Sequence, residues 1–254
     1  MILPQEMAEP RDHAEVLSGT AWSALEHAYG TAEDVPQMLL DLMDSDLRVR
    51  TKALSDLHHV VHHQNTLYAA TAPAAVYVAG ILGNARTLEA VEKGPHDFPG
   101  PMRAELLGWL DSVADAADDE AAAVSRRFGF PPEEYPPFVA ICRLRPQLFR
   151  AVSPFLSDPD TDVQAAAISA CIPLLDDPRL LHHRDTLASL LRDVLAASVL
   201  WQYQERAIDA LANWGQDTTG LEVRQERYAF CDAERQPQPW SVERQGGFAT
   251  DPPF

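Results

Sequence analysis

The chain has 254 residues, 46% of them hydrophobic and 23% charged, which is enough apolar material for one large domain or two small ones. Thirty-eight acidic residues against twenty basic ones give a net charge of −18 and a pI near 4.7. Such a surface repels nucleic-acid phosphates and anionic lipid heads, and it steers basic proteins or peptides inward. We therefore expect a basic protein or peptide partner, no nucleic acid and no membrane. Lys52 and Lys93 are the only lysines, against eighteen arginines, a bias that suggests a GC-rich bacterial genome.

The first twenty residues lack a basic and then apolar leader, and no apolar run reaches the length of a membrane helix. Cys142, Cys171 and Cys231 form no CxxC pair, which speaks against a disulfide framework and a thiolate zinc site. The expected setting is a reducing cytoplasm, with no cofactor.

In chain order, residues 1–30 form an N-terminal segment with a capping helix around 14–29, where Trp22 and Leu25 share one side. Thr31 is the expected N-cap of the next helix, ahead of Val35, Met38, Leu39 and Leu42. Ser45 is the expected cap of another, carrying Val49, Ala53, Leu57 and Val60. Pro73 suits the first turn of a further helix, and Gly83-Asn84 a stop. Strand alternation is sustained nowhere. Residues 31–117 predict two helix pairs, and 118–138 a Pro-rich insertion with an extended FGFPPEEYPPF segment. Residues 139–214 predict two more pairs, and 215–254 an irregular tail. Tyr228, Phe230, Trp240, Phe248 and Phe254 make that tail too aromatic for an ordinary disordered segment.

The chain also repeats itself. SDLRVRTKAL (45–54) aligns with PDTDVQAAAI (159–168): cap, Asp, two variable residues, Val, polar, two variable residues, Ala, apolar. Looser copies start at Tyr203 and Met102, with anchors at 49, 102, 163 and 203, the last step being 40 residues. Leu156–Leu175 resembles the second helix of a HEAT repeat and its preceding turn. His63, Gln64, Thr66, Tyr68, Ala70, Thr71, Ala72, Pro73 and Ala75 resemble a segment of uncharacterised actinobacterial HEAT-repeat proteins, with Asn65 where that segment has Gly. The resemblance implies an all-α, armadillo-like α-α superhelix of about four helix pairs, and it implies no activity.

The sharpest local feature is His58-His59-Val60-Val61-His62-His63. At 100° per residue the histidines fall opposite Ala53, Leu54, Leu57, Val60 and Val61. Ser55, His59 and His62 are then expected to face the solenoid groove. Ser55, His58, His59, His62, His63, Gln64 and Tyr68 are the candidate binding residues. Two i,i+4 histidine pairs can ligate a transition metal, but a zinc site needs further ligands, for which only remote His182-His183 offers itself. HExxH, GxSxG, a P-loop and GxGxxG are absent, so no catalytic residue is assigned.

Two acidic patterns complete the set. Asp111, Asp115 and Asp119, with Asp118 and Glu120, form a ladder that reads as a solvated face or a site for a basic partner. Asp158, Asp160 and Asp162 lack the Gly and Glu of a calcium loop and read as helix-start residues. The function class expected is a non-catalytic protein-protein interaction or scaffold protein using a concave face, in an immunity-like role against a basic toxin as one version. The alternative is a small enzyme or metal-binding protein with a pocket around His59, His62, His63 and Tyr68.

Overall fold

A computed structural model describes residues 13–91, 100–193 and 201–221. The aromatic tail residues named above and Cys231 lie outside the described residues. Helices dominate. They are α1 (His13–Gly19), α2 (Val35–Asp41), α3 (Leu47–Asp56), α4 (Thr71–Ile81), α5 (Met102–Asp115), α6 (Asp119–Arg127), α7 (Pro136–Val152), α8 (Thr161–Leu174), α9 (Arg184–Asp193) and α10 (Trp201–Asn213). Among the described residues the only strands are two-residue ribbons. β1 (Glu26–His27) pairs antiparallel with β2 (Gly30–Thr31), and β3 (Ala90–Val91) with β4 (Gly100–Pro101). No helix among the described residues is long and apolar enough to cross a membrane.

Helix α1 packs on α4, α4 on α7, and α5 along α8, with α8 also meeting α10. α4 and α8 are apolar around most of their circumference, as helices covered on several sides must be. The α1–α4 approach uses Gly80, where an added Cβ would lie 2.8 Å from the His13 Cβ. Trp109, Leu57, Leu106, Leu107, Ile141, Leu148 and Val163 are fully buried in one continuous core.

Several local expectations are corrected. The capping helix stops at Gly19, and residues 20–31 instead hold a 3-10 turn, Trp22–Ala24, and the β1–β2 ribbon. Thr31 makes no side-chain cap, because a 3-10 turn, Ala32–Asp34, intervenes before α2. Asp46, and not Ser45, caps α3, accepting from the Arg48 N–H at 2.8 Å. Residues 118–138 hold helix α6 and a 3-10 turn, Pro132–Glu134, in place of an extended segment.

The two aligned segments are built alike. Asp160 caps α8 through the Asp162 and Val163 N–H groups, as Asp46 caps α3. The next polar position reaches back in both copies. Arg50 donates to the Asp44 and Ser45 carbonyls, and Gln164 to the Leu156 carbonyl. Val163 and Ala167 are buried as the pattern demands. Val49 is only half-buried, because buried Arg50 takes the interior position and pairs with Glu89 at 2.6 Å.

Candidate functional site

The histidine cluster sits where α3 ends. From Leu57 to Val61 the helix widens to a π-turn, and the His62 N–H bonds the Leu57 carbonyl five residues back at 3.0 Å. One extra residue per turn rotates everything that follows. His62 therefore stacks over buried Leu57 and is itself 2% exposed, which overturns the wheel placement opposite the core. His58 and His59 remain exposed, as do Ser55 and Gln64, while His63 and Tyr68 are half-buried.

Three carbonyls of the π-turn accept from donors on other elements. The Trp109 indole N–H donates to the Leu57 oxygen at 3.1 Å, the Ala28 N–H to that of Val60 at 3.1 Å, and the Thr71 hydroxyl to that of Val61 at 2.7 Å. After the π-turn, Gln64 and Asn65 adopt φ of 50° and 58°, the left-handed region that favours glycine. Asn65 thus holds a backbone conformation that glycine adopts most readily.

His62 Nδ1 lies 3.1 Å from the Thr66 carbonyl oxygen and Nε2 3.1 Å from Ser112 Oγ, with the Trp109 ring edge-on at 6.4 Å. Burial pushes its pKa below the ordinary value, while Thr66, Ser112 and Asp115 pull the other way. His58 keeps a solvent-exposed edge but is crowded by protein elsewhere; that crowding, with His62 and His59 close by, pushes it down to about 4. His59 Nδ1 is held by Ser55, 2.8 Å from its carbonyl oxygen and 3.2 Å from its hydroxyl. Tyr29, 68% exposed, packs its ring on His63 at 5.6 Å. The Tyr135 hydroxyl donates to the Leu67 carbonyl beside Tyr68.

The π-turn thus separates the predicted residues. Ser55, His58, His59 and Gln64 face outward, and His62 faces inward. Among the described residues no three His, Cys, Asp or Glu side chains are placed to hold a metal ion. His182 and His183 stack on one another at 4.0 Å, and His183 on Phe149 at 4.6 Å.

In the acidic ladder Asp115, Asp119 and Glu120 are exposed and Asp118 is half-buried, so the solvated-face reading fails only for Asp111. Asp111 is buried, accepts from Ser169 Oγ at 2.7 Å, and meets Arg206 of α10 at 2.8 Å. The same guanidinium reaches Asp115 at 2.9 Å. Burial raises the Asp111 pKa, and Arg206 opposes that rise. Asp118 caps α6 through the Ala121 N–H at 2.7 Å. Burial, and then the repulsion of Asp115, Asp176 and Glu120, raise it to about 6. Asp119 lies 3.8 Å from Arg145.

Beside this junction lies a cleft of about 320 Å³ between α5–α6 and α10. Asp115, Asp118, Glu120, Glu205 and Asp209 line it, with Arg206 their only basic companion among the described residues and with Ile172 and Ala210 as apolar ones. Sequence reading found the α5–α6 half of this wall. It missed Glu205 and Asp209, whose i,i+4 spacing is visible in the sequence but whose position opposite Asp115 is not.

No protein-family model, curated protein or solved structure matches this chain.

Proposed function

We propose that this protein is a non-catalytic binding protein, built as a short HEAT-like stack, that takes up a basic segment of a protein or peptide. The observation that carries the binding reading is the cleft between α5–α6 and α10, where five carboxylates face one guanidinium. Burial is the main reason the Asp118 pKa is raised to about 6, and the repulsion of Asp115, Asp176 and Glu120 adds to it; a ligand cation relieves that repulsion. An Arg or Lys side chain entering there exchanges carboxylate repulsion for charge-assisted hydrogen bonds.

The stack reading rests on helix pairing. α2 with α3, α4 with α5, α7 with α8 and α9 with α10 are consecutive pairs. First helices pack on first helices, α2 on α4 and α4 on α7; second helices pack on second, α5 on α8 and α8 on α10. That alternation over α2, α4 and α7 and over α5, α8 and α10, together with the shared Asp caps of α3 and α8, supports a HEAT-like array. A cytoplasmic setting belongs to the same reading, and the free thiols of Cys142 and Cys171 agree with it.

The test is fluorescence anisotropy with a labelled hexa-arginine peptide and a hexa-glutamate control. Binding of the basic peptide alone, weakening with salt and about tenfold weaker in Asp118→Asn/Asp209→Asn, is the expected result. No binding, or equal binding by the variant, overturns the cleft assignment.

A further inference from the structure

The buried end of the π-turn carries a second device, independent of the acidic cleft. We propose that His62, Ser112 and Asn65 form a proton-coupled relay in which the charge on the buried imidazole sets the orientation of the surface amide of Asn65.

The hydrogens available to the three side chains allow two arrangements. The Thr66 carbonyl, 3.1 Å from His62 Nδ1, can only accept, so Nδ1 carries a hydrogen in either charge state. Nε2 faces Ser112 Oγ at 3.1 Å, and Ser112 Oγ lies 3.2 Å from Asn65 Oδ1. A serine hydroxyl has one hydrogen to give. With the Asn65 oxygen turned inward, that hydrogen goes to Oδ1, and Nε2 must donate to Ser112; the imidazole is then the cation. With His62 neutral, the hydroxyl instead donates to the Nε2 lone pair. The serine oxygen then calls for a donor, which Asn65 supplies by turning its amide so that Nδ2–H points inward.

The two arrangements are isosteric, differing by a half-turn of the Asn65 amide. Each pairs the three side chains with one another, whereas a mixed arrangement gives up the Ser112–Asn65 bond or the Ser112–His62 bond to solvent. Acid therefore turns the Asn65 oxygen inward and presents its NH2 donor to solvent, whereas neutral pH presents its oxygen acceptor. Asn65 is exposed, so the change is legible at the surface. It sits in the left-handed turn beside Gln64, next to the His63–Tyr29 contact.

The ionisable groups on the elements about this turn are few. On the same turn are His58, His59 and His63. On α5 the nearest is Asp115, held by Arg206 of α10. On the β1 side is His27, paired with Asp34 at 3.0 Å, and at the entry to α4 are Tyr68 and Tyr135. Asp115 favours the cation and His58 opposes it. None of them bonds Nε2 or Nδ1, so the route from imidazole to surface runs through Ser112.

The experiment is a pH titration of the full chain by NMR, following the His62 ring nitrogens and the Asn65 side-chain amide. The relay predicts a shared midpoint for both, with the His62 proton on Nδ1 in the neutral form. Asn65→Asp, whose carboxylate can only accept, fixes the inward-oxygen arrangement and raises the His62 midpoint by about one pH unit or more. In Ser112→Ala that rise falls to less than about half, because the hydroxyl link is gone. An Asn65 amide indifferent to His62 titration overturns the relay. So does a rise that persists undiminished without Ser112, which would be through-space charge alone. The wild-type co-titration needs no variant, so the proposal stays testable if Ser112→Ala folds poorly.

Discussion

Trp109 donates its indole N–H to the carbonyl oxygen of Leu57 at 3.1 Å, across 52 residues of sequence. That oxygen also accepts the π-turn bond from His62 N–H at 3.0 Å. The same Trp109 ring lies edge-on to His62. One fully buried side chain on α5 thus holds the widened end of α3 and the histidine it turns inward. Trp109→Phe removes both a buried hydrogen bond and ring volume. It is expected to lower stability by about 2–4 kcal/mol in urea unfolding, and to shift the His62 ring resonances.

Val163 is fully buried in α8 directly after the Asp160 cap. Val163→Asp leaves a carboxylate without a partner in the core and should cost at least about 3 kcal/mol, or prevent folding. Asp160→Ala removes only the cap, and about 1 kcal/mol is the expected loss by thermal or urea melting. A larger effect for the cap than for the core valine would contradict the packing described for α8.

Asp118→Asn keeps a capping oxygen for the Ala121 N–H and removes a charge that its surroundings disfavour. Its carboxyl is raised to about 6, so at pH 7 the ionised form works against the fold. Discounted for partial solvent screening, the gain at pH 7 should be about 1 kcal/mol, read as a higher urea midpoint.

The pH dependence of stability follows from opposing groups. His62 and His58 resist protonation in the fold relative to the ordinary value of 6.5. Their contribution is complete above pH 6.5 and is lost as pH falls, for His58 through about 4. Asp118, with its pKa raised, acts in the other sense. Its contribution is complete below 3.8 and is lost as pH rises through about 6. Between pH 7.5 and 5 the wild type should lose less stability than Asp118→Asn, which retains only the histidine effect. Urea midpoints across that range decide it.

With a net charge of −18, the chain should bind a random DNA duplex weakly or undetectably at physiological salt in a filter or anisotropy assay. A tight complex with a steep salt dependence would show that a basic surface outweighs the average.

The helical class, the helix start at Asp160 and the burial of Val163 and Ala167 were legible in the sequence, because caps and 3.6-residue spacing are local properties; the cap of α3 was read one residue early, at Ser45. The inward turn of His62 was not legible. A wheel assumes 100° per residue, and the π-turn breaks that period only because Trp109, Ala28 and Thr71, brought from other elements, satisfy its loosened carbonyls. Arg50 was likewise hidden, since its burial depends on Glu89 and on two carbonyls of the preceding turn. The carboxylates at 111, 115 and 119 were visible as an i,i+4 ladder, with Asp118 and Glu120 beside it, and with no indication of what lay opposite. Only the packing of α10 beside α5 places Arg206 between Asp111 and Asp115 and lines Glu205 and Asp209 across a cleft. Sequence spacing determined which residues share a helix face. Tertiary packing decided which faces meet, because burial and charge pairing arise between segments that are remote along the chain.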